Sequence, residues 1–449
     1  MKRIIIGGTK SGCGKTTVTC ALLATLKRRN INVSAFKCGP DYIDPMFHRK
    51  VIGVESYNLD SFFFDRNTIL NLLGEYGKKS DISVIEGVMG FYDGSCGSAY
   101  SVSELTETPV VMVIDCKGMS DSIGAVMSGF LNYRKNRISG FVFDRLPEKL
   151  IPLAQNLCCE LGTDYFGCLP KCGASIESRH LGLVTADEIA DIQTKLERLG
   201  ELAEKYILID KLINSCDVPL PEYNPLDIPQ FDEHPTIAAA RDSAFCFIYQ
   251  ENIELLEKMG CRIIYFSPLK DSAVPKADGL LLYGGYPELY AAELSSNTSM
   301  LESIRSCINS GMPTIAECGG FMYLHDELTD KNGVTHTMAG VISGRTYPTE
   351  KLQRFGYITM TATADNLLCG KGGRIRAHEF HYWESSDCGN GFTAEKTDGR
   401  TWDCCHTSDT LYAGFPHINF YSDIAAAERF VRKCIYGDKN GQDKTDKKF

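Results

Sequence analysis

An α/β protein with two sheet-based domains is what this sequence predicts, and three observations predict it. Short apolar, β-branched runs alternate with stretches of helical spacing, the alternation stops once at a proline-rich stretch and then restarts, and the first run opens onto a glycine-rich turn. Strand-like runs fall at Arg3 to Gly8, Ile31 to Lys37, Ile82 to Glu86, Val110 to Asp115, Ile138 to Phe143 and Tyr165 to Gly167. The stretches between them suit crossover helices, so the first sheet is expected to be mostly parallel. Thr185 with Glu188 forms a capping box for an amphipathic run through Ile189, Ile192, Leu196 and Leu199 to about Ser215, which closes a first domain over 1–216. Between Asp217 and Pro235 stand five of the 17 prolines, which fit neither a helix interior nor a central strand, so 217–235 reads as a linker. Strands near Thr236 to Ala240, Arg262 to Phe266, Gly279 to Tyr283 and Pro313 to Ala316, with a helix from Asn252 to Met259, begin a second α/β domain over 236–436. Residues 437–449 are polar and lysine-rich, a solvated tail.

Composition narrows the class. With 449 residues, 43% hydrophobic and 23% charged, the chain suits two or three globular domains. A net charge of −10 without a basic run argues against a nucleic-acid coat, and no apolar run reaches the roughly 20 residues of a membrane-spanning helix. Nineteen cysteines are scattered without a C-x-x-C pair, and the glycine-rich turn follows Met1 closely. Reduced thiols in a cytoplasm, with no signal peptide, are therefore expected. Cys158-Cys159 and Cys404-Cys405-His406 lack zinc-ligand spacing and read as packing thiols, so no structural metal is expected.

The turn itself, Gly8-Thr9-Lys10-Ser11-Gly12-Cys13-Gly14-Lys15-Thr16-Thr17, lies between a strand and a helix beginning near Thr16. Backbone N–H groups there can surround phosphate oxygens, Lys15 can neutralise their charge and Thr16 can ligate Mg2+, so the ten residues form a candidate site for ATP or GTP. The first glycine stands one position earlier than in the common phosphate loop, and this longer loop resembles the dethiobiotin synthetase type. Two acidic segments, 37–45 and 85–94, follow predicted strands, and ligands of open parallel sheets bind at the carboxyl ends of the strands. Thr16, Asp41 and Glu86 are the candidates for Mg2+ or its waters, with Asp44 and Asp93 nearer the phosphoryl acceptor.

A second constellation begins at Met312. The stretch to Leu324 reads as strand, sharp turn and helix, displaying Cys318 at the elbow, where a helix N-terminus can lower a thiol pKa and donate N–H groups to an oxyanion. The glycine turn Tyr283-Gly284-Gly285-Tyr286-Pro287-Glu288 can add donors from Gly284 and Gly285 to that of Gly319. His417, in Gly414-Phe415-Pro416-His417-Ile418-Asn419, follows a late strand and is the candidate base for Cys318. His378 and His381, in His-Glu-Phe-His-Tyr, read as structural residues of a strand.

Taken together, Ser11 to Thr17, Gly-Pro-Asp-Tyr-Ile-Asp at 39–44, Asn58-Leu59-Asp60, Glu-Gly-Val-Met-Gly at 86–90 and Arg179-His180-Leu181-Gly182-Leu183 resemble the cobyrinic acid a,c-diamide synthase family over nearly the whole chain. The second half resembles triad-type glutamine amidotransferases. The resemblance implies an ATP- and Mg2+-dependent ligase that activates two corrinoid carboxylates as acyl phosphates and amidates them with ammonia from L-glutamine. It makes Cys318 the nucleophile that forms a glutamyl thioester. Lys37, Arg179 and His180 become candidates for charge offered to a polycarboxylate such as cobyrinic acid. Most of the wider superfamily carries a glutamate two residues after the histidine; Asn419 stands there, which leaves the third triad member unassigned. Hydrogenobyrinic acid or nickel-sirohydrochlorin are alternative substrates for the same chemistry. From another class, Lys10 to Thr16 also resembles the loop of partition-type ATPase switches, which dimerise around ATP; a homodimer with Lys10 reaching across is the assembly such a loop allows.

Overall fold

The computed structural model describes residues 1–94, 96–171 and 186–437. They form two compact units, one from Met1 to Leu226 and the other beginning at Asp227.

In the first unit the strands are β1 (Arg3–Gly8), β2 (Val33–Cys38), β3 (Ser56–Leu59), β4 (Ile82–Glu86), β5 (Val110–Asp115), β6 (Ile138–Asp144) and β7 (Asp164–Leu169), in the order β3-β2-β4-β1-β5-β6-β7. All the pairings are parallel. β1 is central and every one of its residues is buried, which is why three consecutive isoleucines rather than an alternating pattern encode it. The helix α1 (Lys15–Arg28) returns from β1 with Val18, Leu22, Leu23 and Leu26 in the core. One strand departs from the sequence expectation: β3 is a four-residue run, Ser-Tyr-Asn-Leu, too short and too polar to stand out, so Glu86 ends the fourth strand in chain order rather than the third.

The long helical run expected to reach Ser215 is broken into Ala186–Tyr206 and Ile209–Ser215; Thr185 of its capping box lies outside the described residues. The cause is a close approach at Gly167, φ 124°, where a Cβ would stand 2.3 Å from the carbonyl oxygen of Tyr206. That approach lets Leu208 N–H donate to Phe166 O at 2.8 Å, which diverts the chain from the helix. The proline-rich stretch begins against the first unit, where the buried Arg3 guanidinium donates to the carbonyls of Val218 and Pro219 at 2.8 and 2.9 Å.

The second unit is built on a six-stranded sheet of Arg262–Phe266, Thr236–Ala240, Gly279–Leu282, Thr314–Glu317, Leu411–Gly414 and His406–Thr407, in that spatial order. Its pairings are parallel except the last. The sequence reading does not contain the further sheets built mostly from residues between the fourth and fifth of these strands. The largest, all antiparallel, runs Thr401–Cys404, Phe392–Lys396, Arg354–Ala362, Arg374–His381 and His417–Ile418, the last following the fifth strand. Of the tail, only Gly437 is described. Among the described residues no helix is long and apolar enough to cross a membrane, and no three or more His, Cys, Asp or Glu side chains gather in a group that could hold a metal ion.

Candidate functional site

The glycine-rich turn leaves β1 and enters α1 through Gly14, whose φ of 97° and distance of 2.5 Å from a Cβ position to Asp144 Oδ2 exclude a side chain there. Val18 N–H donates to Gly14 O at 2.9 Å, starting the helix. Cys13 is buried while Ser11 and Gly12 are exposed at the crest. Lys15, buried, folds over its own loop and donates to the carbonyls of Lys10 at 3.2 Å and Met89 at 2.5 Å. Burial is the main cause that lowers its pKa, with the carboxylates of Glu86 and Asp44 opposing it. The Lys10 side chain is 65% exposed and its ammonium stands 3.7 Å from Asp115 Oδ2.

Next to the turn is a buried ionic cluster. Glu86 Oε1 accepts from Thr16 Oγ1 at 2.6 Å and from Lys37 Nζ at 3.0 Å, while Lys37 Nζ also meets Asp44 Oδ2 at 2.5 Å. β2 and β4 are neighbours with Lys37 opposite Glu86 in register, so the parallel sheet itself places this pair. Burial opposes the Lys37 charge, yet Asp44 and Glu86 outweigh it and hold its pKa well above the ordinary value. Burial raises Glu86 despite Lys37. His48 stands behind Glu86, its Nε2 3.7 Å from Oε2, pushed down to about 4 by burial and therefore a neutral ring.

These positions correct one expectation and give two other candidates local partners. Lys37 is 5% exposed and committed to two carboxylates, so it does not present its charge to an incoming anion. Asp41 uses Oδ1 to accept from the N–H groups of Ile43 and Asp44 at 2.8 and 3.1 Å; burial and the nearby Asp44 push it up to about 6. Asp93 is exposed and accepts from Gly90 N–H at 3.0 Å, closing the turn after β4. Arg179 and His180 lie outside the described residues. For Mg2+, the residues fit: Thr16 and Glu86 supply only oxygen donors, and Glu86 Oε2 is fully buried with no hydrogen-bond partner among the described residues.

In the second unit, Cys318 separates the Thr314–Glu317 strand from a helix over Gly319–Tyr323 and has φ 47° and ψ −102°, a conformation that side chains rarely adopt. Its N–H donates to Gly414 O at 2.7 Å, tying the elbow to the strand that leads into His417. Gly284, Gly285 and Gly319 are packed together: a Cβ on Gly319 would stand 3.0 Å from Gly285 N, and one on Gly284 2.5 Å from His417 Cε1. The turn thus lies between the elbow and the imidazole.

The thiol does not follow the sequence expectation. Burial, helped by the carboxylates of Glu288, Glu317 and Glu379, pushes it well above the usual thiol range, and the Gly319 N–H only partly opposes this. Cys318 is 6% exposed and the following helix has only five residues, so desolvation wins over the helix end. A thiol so placed would need a base to remove its proton before it could act as a nucleophile.

Sequence reasoning does not single out Glu317, the residue before Cys318. Its Oε2 lies 3.3 Å from His417 Nδ1 and its Oε1 accepts from Ile418 N–H at 3.1 Å. The only local signal is a buried carboxylate at a strand end. Asn419 instead donates to Glu251 Oε1 at 2.9 Å. His378 lies opposite His417 in the antiparallel pairing, and burial pushes it down to about 3. His381 stacks on Phe415 at 3.8 Å with its Nδ1 2.6 Å from Trp383 O, and burial pushes it down to about 4.

Comparison with known proteins covers both units. Residues 4–183 match the CobQ/CobB/MinD/ParA nucleotide binding domain, and residues 236–425 the CobB/CobQ-like glutamine amidotransferase domain. Proteins named cobyrinate a,c-diamide synthase are similar along nearly their whole length. That of Caldanaerobacter subterraneus subsp. tengcongensis is 38% identical over 442 residues, 96% of this chain and 98% of that one. That of Listeria monocytogenes is 38% identical over 444 residues, 95% and 98%. The Salmonella typhimurium protein is 37% identical over 441 residues, 93% and 94%. Two matched domains in this order, and relatives aligned from end to end, make the chain a member of the cobyrinate a,c-diamide synthase family, which are glutamine-hydrolysing carbon–nitrogen ligases.

Proposed function

We propose that this protein converts the a and c side-chain carboxylates of cobyrinic acid to amides, using ATP to form acyl phosphates and glutamine to supply ammonia. The observation that carries the reading is the presence, in one chain, of a phosphate loop joined to a buried lysine–carboxylate cluster and of a cysteine elbow packed against a glycine turn that also touches a histidine.

A carboxylate is a poor electrophile until phosphorylation of one oxygen makes it a mixed carboxylic–phosphoric anhydride. In the first unit, backbone N–H groups of residues 8–17 and the ammonium of Lys15 would hold the triphosphate, Lys15 exchanging its carbonyl partners for phosphate oxygens. Thr16 and Glu86, with Asp41 through water, would hold Mg2+, which when bound neutralises charge on the phosphates. Lys37 fixes Glu86 and Asp44 in place, so this arrangement exists before substrate binds. In the second unit His417 takes the thiol proton, Cys318 attacks the glutamine side-chain amide, and the N–H groups of the glycine turn and Gly319 face the oxyanion.

The test is to incubate the full-length protein with cobyrinic acid, ATP, Mg2+ and glutamine and follow product mass, with hydrogenobyrinic acid and nickel-sirohydrochlorin in parallel. Two successive ATP- and glutamine-dependent amidations of cobyrinic acid are expected. Their absence, or faster amidation of either other ring, would overturn the substrate assignment.

A further inference from the structure

We infer that Glu317 is the positioning carboxylate of the glutaminase, supplied by the residue before the nucleophile instead of the position two after the histidine. The inference rests on the reading of Cys318 as nucleophile and His417 as base.

A histidine that takes a thiol proton must present a bare nitrogen to the sulfur and carry its own proton on the other. Glu317 meets that requirement from behind the ring: Oε2 stands 3.3 Å from His417 Nδ1, so an Nδ1–H is favoured and Nε2 is left to accept. The second oxygen accepts from Ile418 N–H at 3.1 Å, so one side chain fixes both the ring and the backbone that carries it. Glu317 and His417 are each almost fully buried, which keeps water from competing for either bond. The superfamily position cannot do this work, because both ends of the Asn419 amide are occupied: Nδ2 donates to Glu251 Oε1 at 2.9 Å and Oδ1 accepts from Tyr421 N–H at 3.1 Å.

The elbow explains how consecutive residues serve one site. Side chains of neighbouring strand residues normally point to opposite faces. Glu317 is the last strand residue, paired with Gly414 in register, and the left-handed turn at Cys318 ends that alternation. In the reaction the thiol proton passes to Nε2 as the sulfur bonds to the amide carbon, and the same proton later leaves with ammonia. The Nδ1 proton stays on the ring, held toward Glu317 while the transient imidazolium exists.

The experiment measures glutaminase kcat and KM for the full-length parent, Glu317→Gln and Glu317→Asp. Glutamine at 317 retains the size of the side chain and the bond to Ile418, but its amide can donate to Nδ1 and so favours a proton on Nε2. Aspartate keeps the charge and is one methylene short. A positioning role predicts that Glu317→Gln lowers kcat by about 10²- to 10⁴-fold with KM within about threefold, and that Glu317→Asp retains more activity than Glu317→Gln. A purely structural role predicts the reverse order, since the isosteric amide packs better. Greater activity in Glu317→Gln than in Glu317→Asp, or a loss confined to KM, would overturn the inference. Cys318→Ala is run alongside: glutamine turnover persisting in that variant would refute the nucleophile assignment itself, whatever the Glu317 variants do.

Discussion

The two units solve opposite electrostatic problems. In the first, charge is dense and already paired: Lys37 lies between Glu86 and Asp44, and Lys10 stands near Asp115. In the second, burial pushes the Cys318 thiol up and lifts the nearby carboxyls of Glu288 and Glu379 each to about 7. On the proposed reading, phosphoryl transfer moves charge that exists throughout, which suits a site organised beforehand around fixed ions, whereas thioester formation creates charge only during the reaction, which suits a buried thiol that ionises on demand.

The strongest way to break this comparison is to disable each half separately. Cys318→Ala should lower glutamine-driven amidation by at least about 10³-fold while supplied ammonium still supports it, and Lys15→Ala should lower both routes by about 10²-fold or more. Initial rates with glutamine and with ammonium chloride decide the matter; ammonium failing to support the Cys318→Ala variant would mean that the halves are not chemically separable. A smaller effect is expected at the glycine turn. The methyl group of Gly284→Ala would meet His417 Cε1, so glutaminase kcat should fall by about 10- to 100-fold with ammonium-driven amidation intact. An unchanged kcat would show that the imidazole can shift at no cost.

The smallest effect concerns stability. Glu379 is fully buried, and burial, reinforced by Glu384 and opposed by Arg354, lifts it from 4.5 to about 7. The fold therefore favours the neutral acid. Its contribution is complete below about pH 4.5 and is lost as pH rises through about 7, because the unfolded chain ionises first. Glu379→Gln should unfold at a higher temperature than the parent at pH 8, by a stability gain of about 1–3 kcal/mol, with the difference closing toward pH 4. Thermal melts across that range would read it, and equal melting temperatures at pH 8 would show that Glu379 remains ionised and paired.

What the sequence displayed was local. The phosphate loop, the α1 start and the elbow at Cys318 depend on residues a few positions apart, and glycine spacing carries their geometry. Most buried strands of the two main sheets were legible for the same reason, as short apolar runs, with the polar β3 an exception. The contacts that complete each site are remote: Lys37 and Glu86 are 49 residues apart, and Glu317 and His417 are 100. No spacing announces such pairs. Asn419 shows that the usual glutamate is missing, but nothing in its surroundings points back to Glu317. The antiparallel strands escaped because runs such as Arg374–His381, with His378 and Glu379 both buried, lack a clean alternation of apolar and polar residues.

The backbone at Cys318 has one more consequence. Its positive φ of 47° with ψ −102° is a geometry that glycine adopts freely and a side chain adopts at a cost of about 1–3 kcal/mol. A glycine at 318 would relax the elbow and remove its thiol in one change, so on the proposed reading stability and turnover make opposite demands on this one position.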